Sequence, residues 1–353
     1  MPRRVWVVLV AAAALAAASC SPASPAERPL PDRAFYYWRT TFRLSPAERR
    51  ALAELHVTRL YIRMFDVEWS GGAAARVGAI APEPGARIPD GIEAVPVVYL
   101  RADVFRHLPV GRTAGLARAT WAEVRERAAW LGFAPRELQV DCDWTDGTRD
   151  PFFDFVRQLR AAAAPHEIAL SATIRLHQVK YRERTGVPPV DRGMLMFYNM
   201  GRFSADPGAR AIFDAKSAER YLARVSDYPL VLDVALPIWS WTLHVRDESV
   251  EGLMQSTDPD ELAALPFLRR IADDRYEAVR NAFLHGTLLR AGDVLKIEVT
   301  GPAEARAAAD MIAPHLAAVA ARPHRTVSLF DLSERNVLRH GIDHLDGVFR
   351  AVR

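Results

Sequence analysis

Glu137-Leu138-Gln139-Val140-Asp141-Cys142-Asp143-Trp144-Thr145 is the stretch on which the fold turns. Read as a β-strand it alternates. Leu138, Val140, Cys142 and Trp144 point one way; Gln139, Asp141, Asp143 and Thr145 point the other. The first set is an apolar packing face. The second sets two carboxylates about 6–7 Å apart, two steps of strand rise. Carboxylates so placed raise one another's pKa. The polar face is therefore read as a functional cluster at a strand end.

Working outward, short apolar runs alternate with helical ones. Strands are expected over 35–42, 59–65, 94–100, 167–176, 194–199 and 230–238, with 137–145 as the fourth of seven. Ser45-Pro46-Ala47-Glu48 opens a helix with a capping box and a first-turn proline. Further helices are expected over 116–131, 151–164 and 217–226, with Asp150 at a cap position; 69–91, rich in Gly and Ala, reads as irregular. This alternation predicts a parallel sheet. Seven strands before residue 240 favour an α/β fold of the (β/α)8 TIM-barrel type, and no Gly-rich phosphate loop follows the first strand. For the eighth strand 326–332 is preferred to 294–299. Residues 242–300 then form an α+β insertion after strand seven, with two helical stretches and the 294–299 strand. A helix over 303–321 leads into strand eight, and a last helix from Asn336 offers Val337 and Leu338 for packing.

The N-terminus reads as an export signal over 1–19: Arg3 and Arg4, an apolar run from Val5 to Ala18, then Ala17-Ala18-Ser19-Cys20. Small residues before Cys20 resemble a bacterial lipobox, which implies lipidation at Cys20. The other cysteine, Cys142, falls on an apolar strand face, so no disulfide explains Cys20. Residues 20–33 are a lipidated terminus and Pro-rich tether, and 34–353 the barrel. The expected location is the envelope, membrane-anchored, at the outer membrane or facing the periplasm. The 353 residues are half apolar and carry 46 basic and 43 acidic side chains, net +3, which gives no electrostatic case for nucleic acid.

Chemistry in such a barrel sits at the strand C-terminal ends. Those ends supply Arg63, Asp66 and Glu68; Arg101 and Asp103; Asp141 and Asp143 with Trp144; Arg175, His177 and Gln178; Tyr198 and Asn199; Trp239 and Trp241; Asp331 and Glu334. Acids, arginines and aromatic rings around one mouth suit a sugar, whose hydroxyls need paired donors and acceptors and whose ring faces stack. No cofactor motif is present and no metal site is expected: His340 and His344 have helical ligand spacing but no third ligand.

At this point the chain resembles the chitinase-type glycoside hydrolases, family 18. Residues 138–145 are similar to that family's fourth-strand Asp-x-x-Asp-x-Asp-x-Glu motif, with Asp141 and Asp143 on the second and third acids. Met196-Phe197-Tyr198-Asn199 resembles its sixth-strand motif, Leu232 to Trp241 its seventh-strand segment, and the insertion after strand seven an extra piece that many members carry. The phrases 140–145, 171–178 and 195–201 also resemble a family of exported bacterial lipoproteins of unassigned function. The chitinase resemblance implies that Asp143 and Tyr198 support the substrate's acetamido group. It also implies a catalytic Glu where this chain has Thr145, and Leu138 replaces the first Asp. A hydroxyl is no proton donor of useful pKa.

Two readings follow. In the first, an envelope-anchored glycoside-hydrolase-like barrel acts on a polysaccharide or cell-wall glycan with a rearranged acid. Asp141 or Asp143 itself, Asp146, Asp66, Asp103, Asp331 or Glu334 is the candidate, and His177 could assist. In the second, the barrel has lost catalysis and binds glycan as a lectin-like lipoprotein. Arg175 and His177, unneeded by a passive binder, tilt the sequence reading to the enzyme.

Overall fold

The computed structural model describes residues 30–254, 259–317 and 325–352. The export signal and Cys20 lie outside the described residues. Eight parallel strands close into a ring: β1 (Asp32–Tyr37), β2 (Arg59–Ser70), β3 (Glu93–Leu100), β4 (Glu137–Asp141), β5 (Ala169–Arg175), β6 (Arg192–Met196), β7 (Val231–Pro237) and β8 (Thr326–Phe330). Closure comes from β1, which pairs with β8 through Ala34↔Ser328 and with β2 through Tyr36↔Tyr61. The expected barrel is the one found, and 326–330 is its eighth strand.

The period-2 pattern sorts side chains into two cores. Outward residues such as Phe35, Leu60, Val98, Leu138, Val140 and Ile174 meet the surrounding helices. The helix Arg149–Ala163 answers with Phe152, Phe155, Val156 and Leu159, one stripe at helical spacing. Inward residues Ala34, Tyr36, Tyr61, Val95, Val97, Met194, Met196 and Ala235 fill the lumen. At the floor Arg59 pairs with Asp32 (3.3 Å), Glu93 (3.3 Å) and Glu137 (3.1 Å), and Arg192 with Asp233 (2.8 Å). The barrel is thus plugged at its N-terminal end, and access is from the strand C-terminal ends.

Local signals act as expected at Pro46–Glu54, where Ser45 and Glu48 complete a capping box. The helix Arg149–Ala163 begins two residues earlier than expected, so Asp150 lies in its first turn and Thr148 at the cap. Residues 69–91 are not wholly irregular. β2 runs on to Ser70 and folds back antiparallel onto Ala73–Val77, with Gly71 and Gly72 at φ 59° and 81°. That two-glycine turn was a hairpin signal. In the C-terminal tail Val337 is buried and Leu338 exposed, so only the first packs.

Between β7 and β8 a five-stranded antiparallel sheet forms, in the order Ser249–Met254, Ser240–Arg246, Val294–Val299, Arg275–Ala278, Leu268–Ala272. It is joined by a small hairpin over 282–289 and the short helix Pro259–Ala263. The second helical stretch expected there is absent among the described residues. The apolar residues of the insertion build a small core around Tyr276, Leu289, Leu295 and Ile297.

Candidate functional site

β4 delivers its two carboxylates as the alternation requires. Cys142 and Trp144 are fully buried on the helix side, and Asp141 and Asp143 turn to the lumen and mouth. Their environments differ. Asp141 is 3 % exposed and accepts hydrogen bonds from Thr173 Oγ1 (2.5 Å) and Arg175 Nη2 (3.3 Å). Burial pushes its carboxyl up from the ordinary value; the Arg175 charge opposes that, and Asp143 adds to it. Asp143 is half-exposed and is held by Arg175 Nε. One guanidinium, from the end of β5, therefore serves both acids.

Thr145, two residues after Asp143, is in extended backbone, φ −120° and ψ 177°. It is exposed, and its amide donates to Thr148 Oγ1 (3.0 Å), the start of a short 3-10 turn. No carboxylate occupies this position.

Arg175, His177, Tyr198 and Asn199 join Asp143 around a chamber of about 230 Å³ between the ends of β5 and β6, closed by Leu176, Met200 and Tyr221. Tyr198 is buried, with its hydroxyl against Met196 Sδ (3.7 Å); burial raises its phenol pKa well above the ordinary value, so it stays protonated. Burial lowers the pKa of His177, which leaves its imidazole neutral near pH 7. Asn199 takes a left-handed conformation (φ 55°) and donates its amide to Ile212 O (2.8 Å), which starts the loop after β6.

Two expected ligand contacts are misplaced. Trp144 is fully buried, stacks on Phe152 (5.1 Å) and donates Nε1–H to Thr185 O (2.8 Å). Gln178, also fully buried, accepts from Arg175 N (2.8 Å) and donates to Trp144 O (3.1 Å). Both buttress the loop from behind: Trp144 has the parity of the helix side, and β5 gives way to helix after Arg175, which ends the strand alternation.

All but one of the remaining acids are engaged. Asp66 takes the Arg63 guanidinium (Nε–Oδ1 2.7 Å), and Arg101 lies between Glu68 (3.8 Å) and Asp103 (3.7 Å). Asp146 sits 3.9 Å from Arg149, and Glu334 is exposed in the first turn of Glu334–His340. Asp331 accepts from Asn336 Nδ2 (2.7 Å), and burial pushes its carboxyl up to about 6.

The mouth is aromatic. Trp239 meets Tyr198 edge-on at 4.6 Å and Phe330 at 5.1 Å; Phe330 meets Trp38 at 5.4 Å; Trp241 continues outward. Trp38, Phe330 and Tyr99 were not singled out from sequence, although each continues an inward alternation (34, 36, 38; 326, 328, 330; 95, 97, 99). Among the described residues no group of three or more metal-ligating side chains gathers.

The chain matches no protein-family model, and no curated protein matches it in sequence. Solved structures do match its fold. The spore cortex-lytic enzyme SleL of Bacillus cereus aligns with a TM-score of 0.54 at 12 % identity, over 92 % of this chain and 75 % of that one. The C-terminal domain of a putative chitinase from Desulfitobacterium hafniense aligns at 0.56 and 10 % identity, over 92 % and 100 %. A chitinase from Chromobacterium violaceum aligns at 0.50 and 15 % identity, over 91 % and 98 %. The (β/α)8 barrel of this chain is thus similar in fold to the barrels of these enzymes.

Proposed function

We propose that this barrel binds a glycan of the cell envelope at its aromatic mouth without cleaving it. The observation that carries this reading is Arg175. It is ion-paired with both acids that a hydrolase would keep poised, next to a Thr145 that is no proton donor of useful pKa. The two residues that tilted the sequence reading to an enzyme thus have other accounts, Arg175 as counter-ion and His177 as a neutral wall of the chamber. Half-buried Trp38, Trp239 and Phe330 supply stacking faces, and Asp143, Asn199 and Tyr198 supply hydrogen-bonding groups. In the same reading the chain is tethered through a lipidated Cys20 and the segment that ends before β1, which takes in Asp32 and Arg33 that the sequence reading gave to the tether.

Hydrolysis stands as the second reading because of Asp331. A carboxyl ionising near 6 at a barrel strand end is suited to general-acid work. A glycan-array screen of the purified protein, with mass spectrometry of every bound glycan, separates the two. Intact glycan on the protein is expected; shortened products would replace the binder by the enzyme, and failure of every glycan to bind would remove both. Labelled palmitate incorporated by the wild type and lost in Cys20→Ser would support the anchor.

A further inference from the structure

We infer that the mouth selects an amino sugar whose amine is free and charged, with the ammonium seated beside Asp143, over a neutral or an acidic sugar. This rests on the glycan reading above and extends it to the class of sugar. The chain as a whole carries a net charge of +3, yet its mouth is short of positive charge. Two guanidiniums there are each shared between two acids. Arg175 lies between Asp141 (3.3 Å) and Asp143, and Arg101 between Glu68 (3.8 Å) and Asp103 (3.7 Å). Arg63 is matched by Asp66. Asp331 bonds to Asn336 Nδ2 and, among the described residues, to no arginine. Arg39, whose charge reaches it, is bound to both carboxylate oxygens of Glu48 (2.9 and 3.0 Å). Burial pushes the carboxyls of Asp141 and Asp331 upward, as expected of acids without a full counter-charge.

Asp143 is the acid at which a ligand's charge can be met. It lines the 230 Å³ chamber and is half-exposed, and Arg175 Nε holds its Oδ1, which leaves Oδ2 open. The groups around it do not repel a cation. His177 is neutral near pH 7, Tyr198 keeps its proton, and Asn199 offers an amide oxygen. Lys180, on the same short helix as His177, lays its ammonium over the rings of Tyr181 (5.4 Å) and Tyr221 (5.2 Å). A sugar ammonium at Oδ2 makes a charge-assisted hydrogen bond and supplies the positive charge that the Asp141–Asp143 pair lacks. An N-acetylated sugar brings only a neutral amide to the same place. A uronic acid or a phosphorylated sugar adds an anion to a region already in excess of acids. The family resemblance gives Asp143 an acetamido group to support; the charges around it fit the free amine better.

Calorimetric titration of the full chain with β-1,4-linked tetramers of glucosamine, N-acetylglucosamine and glucose tests this. At pH 6.5 the glucosamine tetramer is expected to bind about tenfold more tightly than either of the others, the difference between a charged and a neutral hydrogen bond. At pH 9, where the amine has lost its proton, that ratio should fall towards one. Asp143→Asn should bring the ratio towards one at pH 6.5 as well. Asp310→Asn removes the same charge from the outer helix Pro302–Ala317 and should leave the ratio as it is. Should Asp143→Asn fail to fold, the pH series on the wild type carries the test. An acetylated tetramer that binds as tightly as the free amine at pH 6.5, or a preference that survives Asp143→Asn or pH 9, overturns the amine inference and leaves the glycan reading standing. If none of the three tetramers binds, the inference and the glycan reading fall together for β-1,4-linked sugars.

Discussion

Arg175 Nη2 lies 3.3 Å from Asp141 Oδ1 while its Nε holds Asp143, so a single guanidinium compensates the buried acid and the half-exposed one together. Arg175→Ala should therefore act mainly through Asp141, which would be left with Thr173 alone. Removal of one partner of a buried pair costs about 3 kcal/mol or more. Because the stranded carboxyl can escape by protonation, the loss should be greater at pH 8 than at pH 5. Asp143→Asn, at a half-exposed position, should cost under about 1 kcal/mol. Urea denaturation of the three proteins at both pH values measures this; equal losses for the two variants would show that Asp141 does not depend on Arg175.

Thr145 tests the loss of catalysis from the other direction. Its backbone is extended, it follows Asp143 by two residues, and the position is exposed. Thr145→Glu should therefore release shortened oligosaccharides from a glycan that the wild type binds intact. A positioned general acid is worth ~100-fold or more in rate. Thr145→Gln is the control and should remain at background. Mass spectrometry of the products after prolonged incubation decides it; a glutamate variant that binds and releases nothing would mean that Asp143, drawn to Arg175, is not oriented for the reaction.

Much of this architecture was legible from alternation alone. The β4 stretch disclosed its apolar and acidic faces because a strand's period of two is fixed by the backbone, and of the two candidates for the closing strand the preferred one, 326–332, contains the strand found over Thr326–Phe330. The mouth was legible only where polarity marked it. Trp38, Tyr99 and Phe330 were passed over because an aromatic residue continuing an apolar strand looks like core; exposure at the barrel rim is a property of closure, not of local sequence. Arg175 was visible as a strand-end residue, but its partnership with both acids depends on β4 and β5 lying side by side in register. The insertion was misjudged for a related reason: short strands that pair only with one another carry little periodic signal.

Trp144 separates the two meanings of an aromatic at this site. It was expected at the mouth and lies behind the wall, stacked on Phe152 and bonded to Thr185 O. Trp144→Ala should cost about 3–5 kcal/mol, the range for truncating a large buried aromatic. At temperatures where the variant stays folded, glycan affinity should change less than twofold. Trp239→Ala should do the opposite, lowering affinity about tenfold or more with a loss of stability under about 2 kcal/mol, since one face is already open. Paired melting and titration of the two variants would expose an error if Trp144 proved the greater loss in binding at full fold.

Asp331 makes stability depend on pH with a defined sign. Its carboxyl ionises near 6 in the folded chain, against about 4 when unfolded. Between those values the folded state holds the additional proton. Stability from this group is therefore present below about pH 4, falls as pH rises to about 6, and is flat beyond. Two pH units correspond to about 2–3 kcal/mol at most, and the part-exposed position of the residue puts the expected change near ~2 kcal/mol. Asp331→Asn keeps an acceptor for Asn336 Nδ2 and cannot ionise. The wild-type stability minus that of Asp331→Asn, from urea denaturation between pH 4 and 8, should decline by that amount up to pH 6 and then level. A flat difference would mean that Asp331 ionises at an ordinary carboxylate value, and the general-acid alternative for this barrel would lose the observation on which it stands.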